Sequence, residues 1–202
     1  YFMIALIMLF TAGLSLKWLG VGCGLAVVSI PILWNFILDD YQKTRILVLF
    51  DPSIDPETSR QATYGKIAIG SGQMDGQGLT HGTMTQMQLV PENHTDYIFS
   101  VAGEELGFIG GAAVIILLFM IVLECFITGS RAPTLSGKLF CFGFGVLIGI
   151  QSFVNISVAT MLLPNTGITL PFVSYGLTSL VSMYCGVGIV LNIGLQRNKA
   201  MV

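Results

Sequence analysis

Apolar residues in this chain run in long unbroken blocks, with little of the alternation that marks strands. Five blocks stand out, at about 1–16, 18–38, 97–128, 139–163 and 172–195. An apolar run of about 20 residues is long enough to cross a bilayer as a helix. The pattern therefore predicts an all-α fold, a polytopic transmembrane helix bundle of about five spans. Pro31 is a candidate kink in the second block, of a kind that membrane helices tolerate. The third block is long enough to tilt or to begin outside the hydrocarbon. The polar stretch 39–96 is expected to be one large loop.

Composition agrees with this class. The chain is 53% hydrophobic and 10% charged, with mean hydropathy +0.80, where soluble domains carry about 25% charged residues. No separate soluble domain, internal repeat or basic patch for nucleic acid is visible. The opening "YFMIALIMLF" has no charged n-region and no cleavage site, so it is not read as a signal peptide. It is read as a start inside a helix, in the C-terminal part of a longer protein. Cys23, Cys125, Cys141 and Cys185 all lie in apolar blocks without C-x-x-C spacing. They are expected to pack as small residues, since free cysteine behaves as a small hydrophobe.

Charge gives the expected orientation. Lys17, the pair Arg131 and Lys138, and the pair Arg197 and Lys199 fall between or after blocks that share one face. By the positive-inside rule that face is cytoplasmic, and so is the C-terminus. The loop 39–96 and the link 164–171 are then extracytoplasmic. Residues 39–105 hold ten of the eleven acids and four of the nine bases. A long acidic loop of this kind is usually functional.

Three stretches of the polar face carry candidate chemistry. In "DDYQKTRILVLFDPSIDPE", Tyr41, Ile46, Leu47 and Phe50 suggest one apolar side of a short interfacial helix. Lys43 and Arg45 there suit lipid phosphates, and Pro52 and Pro56 are expected to end it. The glycine-rich "AIGSGQMDGQGLTHGT" fits neither G-x-G-x-x-G nor a P-loop. It leaves two readings open: tight turns, or backbone N–H groups close to an anion. In "VPENHTDYIFSVAGEELG", a helix starting near Thr95 places Asp96 in its first turn, where the dipole favours a carboxylate. The same Asp96, with Glu92, Glu104 and Glu105, also reads as a site, because ionisable groups at membrane depth mark function by default. His81 and His94, thirteen apart, are read as loop histidines before metal ligands. Pro164, Gly167 and Pro171 in "LLPNTGITLPFVSYGLTSL" imply irregular backbone that lines a cavity or is buried in protein. Ser174 and Tyr175 supply hydroxyls beside it. Packing of small and polar residues between helices remains the alternative. Together the segments suggest a polar cavity beside apolar walls, suited to a ligand with a polar head and a lipid tail.

Four of these stretches, "DYQKTRILVLFDPSIDP", "KIAIGSG", "LVPENHTDYIFSVAGEELGFIGG" and "LLPNTGITLPFVSYG", resemble in order the C-terminal half of the SEDS family, that of RodA, FtsW and SpoVE. The first leans toward the RodA branch. The resemblance covers essentially the whole of 1–202. It implies a ten-span peptidoglycan glycosyltransferase of the bacterial cytoplasmic membrane. Such an enzyme polymerises lipid II at the outer face onto an undecaprenyl-pyrophosphate-linked glycan, beside a class B penicillin-binding protein. It serves cell shape and elongation or division. The resemblance assigns the essential aspartate to Asp96 and implies substrate-handling roles for Glu92, His94, Thr95, Ser71, Ser174 and Tyr175. Pro91, Glu104, Glu105 and Gly176 are implied as structural neighbours. A divalent cation, Mg or Mn, or basic residues of the N-terminal half, is expected to balance the leaving pyrophosphate, so 1–202 alone is expected to be inactive. Departures from the family pattern are Tyr97 for Phe, Gln73 for Gly, Gln77 for Lys and Leu177 for Gly. A lipid-II flippase or other transporter, and a scaffold for a penicillin-binding protein, are the rival functions.

Overall fold

The computed structural model describes residues 39–49, 51, 53–87, 89 and 94–199, with isolated positions between 5 and 31. The expected spans 1–16 and 18–38 lie largely outside the described residues. So do Pro91, Glu92 and Cys23.

Among the described residues all regular structure is helical. In chain order the helices are α1 (Asp40–Leu47), α2 (Pro56–Ser71), α3 (Thr83–Gln86), α4 (Ile98–Ser130), α5 (Leu135–Ala159) and α6 (Leu177–Lys199). The last three are each long and apolar enough to cross a membrane, and this is a membrane protein.

Helix ends differ from the apolar blocks for local reasons. α5 starts at Leu135, ahead of the block at 139, because Thr134 caps it. The Thr134 Oγ1 accepts from the Gly137 N–H at 3.2 Å, a standard N-cap bond. α5 then stops at Ala159, short of 163, and α6 starts at Leu177, later than 172. Met161, Gly167 and Phe172 between them all have positive φ, at 62°, 67° and 64°. No right-handed helix accommodates that, so the link is longer than its proline positions suggest.

The loop 39–96 is not an extended polar connection, for it carries α1, α2 and α3. In α1 Ile46 is half-buried and Leu47 exposed, and the following Val48 is buried; the side chains of Tyr41 and Phe50 lie outside the described residues. Asp51 then closes a turn by accepting from the Ser53 N–H and Oγ at 3.0 and 2.6 Å. Those two bonds hold its carboxyl below the usual carboxylate range. Pro56 does not end a helix; it opens α2. Proline is favoured at a first helical position, where its missing N–H has no helical partner to lose.

The contacts divide the chain into two units. One comprises 40–118 and 150–180, and the other 1–39, 119–149 and 181–202. The first is built around α2. Ser59, Ala62, Gly65 and Ala68 form a stripe along it, Ala62 half-buried and the others buried, and buried Gly72 follows in the turn after the helix, the three-residue spacing being that of one helix face. The stripe is made of small residues so that α2 can approach the start of α4. A Cβ on Gly65 would stand 3.0 Å from the Tyr97 ring and 3.1 Å from Ser100 Oγ. Ala68, Tyr97 and Val158 form one core cluster. Phe99, Leu118, Ala159 and Leu170 form the next.

α4 is broken at Gly107, whose φ of 69° and ψ of −167° lie far from helical values. Only glycine occupies that region readily. The break leaves backbone groups unsatisfied, and in a membrane these need partners within the protein. The glycine-rich turns 72–78 supply them. Gln77 and Gly78 donate to the carbonyls of Glu104 and Glu105 at 2.9 and 3.0 Å, and Phe108 and Ile109 donate to Gln73 and Met74 at 2.8 and 3.3 Å. Gly72 and Gly76 allow this approach, since a Cβ on either would collide with the Gly103 or Glu105 carbonyl. Of the two readings of this stretch, the geometry is that of tight turns, with two of its N–H groups spent on α4.

In the second unit the helix contacts run through small residues and rings. Phe126 and Phe142 stack with centroids 5.5 Å apart. A Cβ on Gly145 would stand 3.0 Å from Cys125 Cβ, and one on Gly137 would stand 3.2 Å from Ile193. Close approach of this kind is what joins helices in lipid, where apolar burial by itself contributes little. Cys125 and Cys141 are buried in this packing; Cys185 is exposed, contrary to expectation. Phe119, Met120, Leu123 and Ile127 are exposed, as a lipid-facing surface requires.

Candidate functional site

The site assembles in the first unit, where the turn 94–97 meets the link 160–176. α4 begins at Ile98, so Asp96 stands before the helix and not in its first turn. The reason lies in the carbonyls. Tyr97 accepts the first helical bonds, from Ser100 and Val101 at 2.9 and 3.4 Å. The three carbonyls before it are bonded sideways. His94 O accepts from the Tyr175 N–H at 2.9 Å, Thr95 O from Ser174 Oγ at 2.8 Å, and Asp96 O from Asn155 Nδ2 at 2.9 Å. The same Asn155 amide donates to Ile168 O at 2.8 Å.

These bonds fix three consecutive peptide units. Net, each is worth about 0.5–1.5 kcal/mol, and together they leave the turn little freedom. Ser174 is itself buried and is held because its Oγ also accepts from the Leu170 N–H at 2.7 Å. In the link, Asn165 Oδ1 accepts from the Gly167 N–H at 3.0 Å. The Arg45 guanidinium of α1 donates to Asn165 O at 2.7 Å. The backbone is therefore pinned from three elements, while the Asp96 side chain is half-buried. Asp96 Oδ2 is 3.8 Å from where a Cβ on Gly167 would stand, so the bare glycine leaves room beside the carboxylate.

The residues singled out in the sequence divide into groups. Asp96, His94, Thr95, Ser174 and Tyr175 are brought together, although His94, Thr95 and Tyr175 meet through backbone atoms. The Tyr175 side chain is exposed. Gly176 adjoins them, its carbonyl accepting the first α6 bond from Leu180 at 2.9 Å. Ser71 is engaged elsewhere, donating to Ala68 O at 2.7 Å and accepting from Gln77 Nε2 at 3.0 Å.

Glu104 is fully buried and has a structural task. It accepts from the Met84 and Thr85 N–H groups at 2.6 and 3.1 Å and from Thr85 Oγ1 at 2.6 Å. A carboxylate on the N-terminal N–H groups of α3 is where the helix dipole favours it. Glu105 is half-buried and offers its carbonyl to Gly78. His81 Nδ1 lies 2.8 Å from Leu79 O, and both histidines are exposed. Among the described residues no group of three His, Cys, Asp or Glu side chains is arranged to hold a metal ion, so there is no ready-made divalent-cation cage.

Asn155 and the link-clamping role of Arg45 are absent from the sequence reading. The signal for Asn155 was an amide well inside the apolar block 139–163, in "IQSFVNISVA". A polar group inside a span calls for a named partner.

Comparisons with known proteins bear on what this arrangement serves. The FtsW/RodA/SpoVE family model, described as cell cycle protein, matches residues 1–199. The chain is 39% identical over 193 residues to the peptidoglycan glycosyltransferase MrdB of Escherichia coli K12, covering 95% of this chain and 52% of that protein. It is 41% identical over 200 residues to a "Probable peptidoglycan glycosyltransferase FtsW" of Geobacter sulfurreducens, covering 98% and 52%. A solved structure concerned with structural coordination of polymerization and crosslinking by a peptidoglycan synthase complex contains a similar chain. The TM-score is 0.70 and the identity 30%, over 95% of this chain and 52% of that one. The chain spans about half the length of the curated relatives it matches.

Proposed function

The chain belongs to the FtsW/RodA/SpoVE (SEDS) family of cell cycle proteins, and from that membership we propose that its parent protein is a peptidoglycan glycosyltransferase. It polymerises lipid II at the outer face of the cytoplasmic membrane, with Asp96 as general base. The observation that carries this reading is the sideways bonding of the His94, Thr95 and Asp96 carbonyls to Tyr175, Ser174 and Asn155. It holds a carboxylate at a fixed place at the mouth of an apolar helix, with open space beside Gly167.

The proposed chemistry follows from the substrate. The GlcNAc C4 hydroxyl of lipid II is a weak nucleophile at neutral pH, and a positioned carboxylate that takes its proton contributes typically 10²–10⁴-fold, in round numbers about three orders of magnitude. Attack at the anomeric carbon of the growing glycan breaks its bond to the lipid pyrophosphate. The new linkage is β where the old one was α, an inversion that needs one base on the attacking side. The pyrophosphate leaves as an anion, so it needs positive charge more than a protein acid. Mg or Mn belongs to this proposal as a companion of the substrate's phosphates.

His94, Thr95 and Tyr175 act through their backbone in this reading, and Ser174 through its hydroxyl. A class B penicillin-binding protein is the proposed partner, and the loop 39–96 is on the extracytoplasmic side, with the C-terminus cytoplasmic. The test is lipid II polymerisation by the full-length parent with its penicillin-binding protein, wild type against Asp96→Asn. Polymer from the wild type and a loss of at least about 100-fold in the variant, with both complexes intact, is the expected outcome. Equal polymer from both removes Asp96 from the chemistry.

A further inference from the structure

α4 carries carboxylates at Glu104 and Glu105 and no further charge until Glu124. Gly107 therefore stands where this helix passes from the polar loop into lipid. Directly after it Phe108 and Ile109 are 67% and 62% exposed, and Ile115, Ile116 and Leu117 continue the exposed apolar surface. A bilayer, not water, surrounds an apolar run of this length.

The glycine-rich turns after α2 lie at that same level. Gln73 O accepts from the Phe108 N–H at 2.8 Å, and Met74 O from the Ile109 N–H at 3.3 Å. Backbone bonded to the first two lipid-facing residues cannot stand off in water. Yet the Met74 side chain is left 64% exposed. A single apolar residue on a soluble surface needs no explanation. Met74 differs because its own backbone is joined to the start of a lipid-facing surface, which its side chain extends. Its neighbours Gln73 and Asp75 are exposed and polar, so the turn offers one apolar side chain between two that suit headgroups and water. That pattern fits shallow insertion.

The helix break supplies the reason for such a contact. Irregular backbone is tolerated at membrane depth only where protein covers it, and Gly107 is irregular at the edge of the lipid. Met74 O lies 2.5 Å from where a Cβ on Gly107 would stand, so this turn is the cover. An unbranched, adaptable methionine then presents an apolar outer side to the acyl chains while its backbone meets the polar groups of the break.

We propose that the turn 73–75 is a lipid contact, with the Met74 side chain inserted among the acyl chains of the leaflet nearest the loop 39–96, beside Phe108 and Ile109. The occupant is bulk phospholipid. The argument for it is continuity with the lipid-facing surface of α4, and it does not depend on the proposed glycosyl transfer.

The test needs no substitution, because Met87 serves as an internal reference. It is also 64% exposed, and it follows α3 within the polar loop. The wild-type full-length parent is placed in phospholipid nanodiscs and treated with periodate, a charged oxidant that stays in water and converts methionine to its sulfoxide. Met74 is expected to react at least about tenfold more slowly than Met87, read by mass spectrometry of the peptides. A second sample contains a phospholipid with a diazirine on its acyl chain close to the headgroup. Irradiation is expected to attach that lipid to the peptide containing Met74 and not to the one containing Met87. Equal oxidation of the two methionines overturns the proposal, since the turn then lies in water. Slow oxidation of Met74 without a lipid adduct also overturns it, because protein and not lipid then covers the side chain. Neither readout involves lipid II or Asp96, so failure here leaves the base assignment untouched, and an active Asp96→Asn variant leaves the lipid contact untouched.

Discussion

Asn155 ties the Asp96 turn to the link after α5, and replacing it by leucine measures what that tie is worth. The amide donates to Asp96 O at 2.9 Å and to Ile168 O at 2.8 Å. Leucine has similar bulk and removes both donors. Each carbonyl left without its bond costs about 1–3 kcal/mol, so the gross loss is about 2–6 kcal/mol. A second effect opposes it. Asn155 is 1% exposed, and its Oδ1 has no partner in the structure. Deleting that orphan acceptor recovers about 1–3 kcal/mol of desolvation cost. The net destabilisation of Asn155→Leu is therefore about 1–3 kcal/mol, read as a Tm drop of a few degrees. The expected functional effect is larger than the stability effect, because the Asp96 side of the tie would position the proposed base. A freed peptide unit raises the barrier by about 1.4–2.7 kcal/mol in this reasoning, a tenfold to hundredfold fall in kcat. KM stays near the wild-type value, since a transition-state interaction is lost and substrate binding is not. The assay is lipid II polymerisation by the full-length complex at several substrate concentrations, beside a thermal melt. A variant with lowered Tm but unchanged kcat refutes the positioning argument and leaves Asn155 a structural residue.

Two further expectations concern the frame around the turn. Glu104→Gln keeps the shape but replaces one acceptor oxygen with a donor, facing N–H and hydroxyl groups that now make three bonds to the carboxylate. A loss of about 2–4 kcal/mol is expected, checked by denaturation of the purified protein and by faster proteolysis near 82–87. Gly107→Ala places a Cβ 2.5 Å from Met74 O and closer still to Gly76 N, at a φ,ψ that costs a side chain about 1–3 kcal/mol before any clash. The protein is expected to fail to accumulate in membranes, and a normal yield with normal Tm contradicts the account of the helix break.

Much of this protein's class is written in one dimension. Blocks such as 108–123 and 139–159 determine helices in lipid, because a bilayer demands a long apolar run and internally satisfied backbone wherever the chain crosses. The polar stretch between blocks, its excess of acids, and Asp96 in a motif shared with a known family are equally local. α2 was not legible. Its stripe is Ser59, Ala62, Gly65 and Ala68, with Gly72 in the turn after it, and small residues chosen for close approach carry no apolar periodicity. Pro56 reads as a stop until the chain is seen to start a helix there. The glycines of 70–78 likewise have no meaning until the broken backbone at Gly107 lies against them. Asn155 and Asp96 are 59 positions apart, and Arg45 and Asn165 are 120 apart. Partition between lipid and water is a property of each segment and survives in the sequence. A hydrogen bond is a property of two segments and their geometry, so only the tertiary structure decided which groups hold the carboxylate in place.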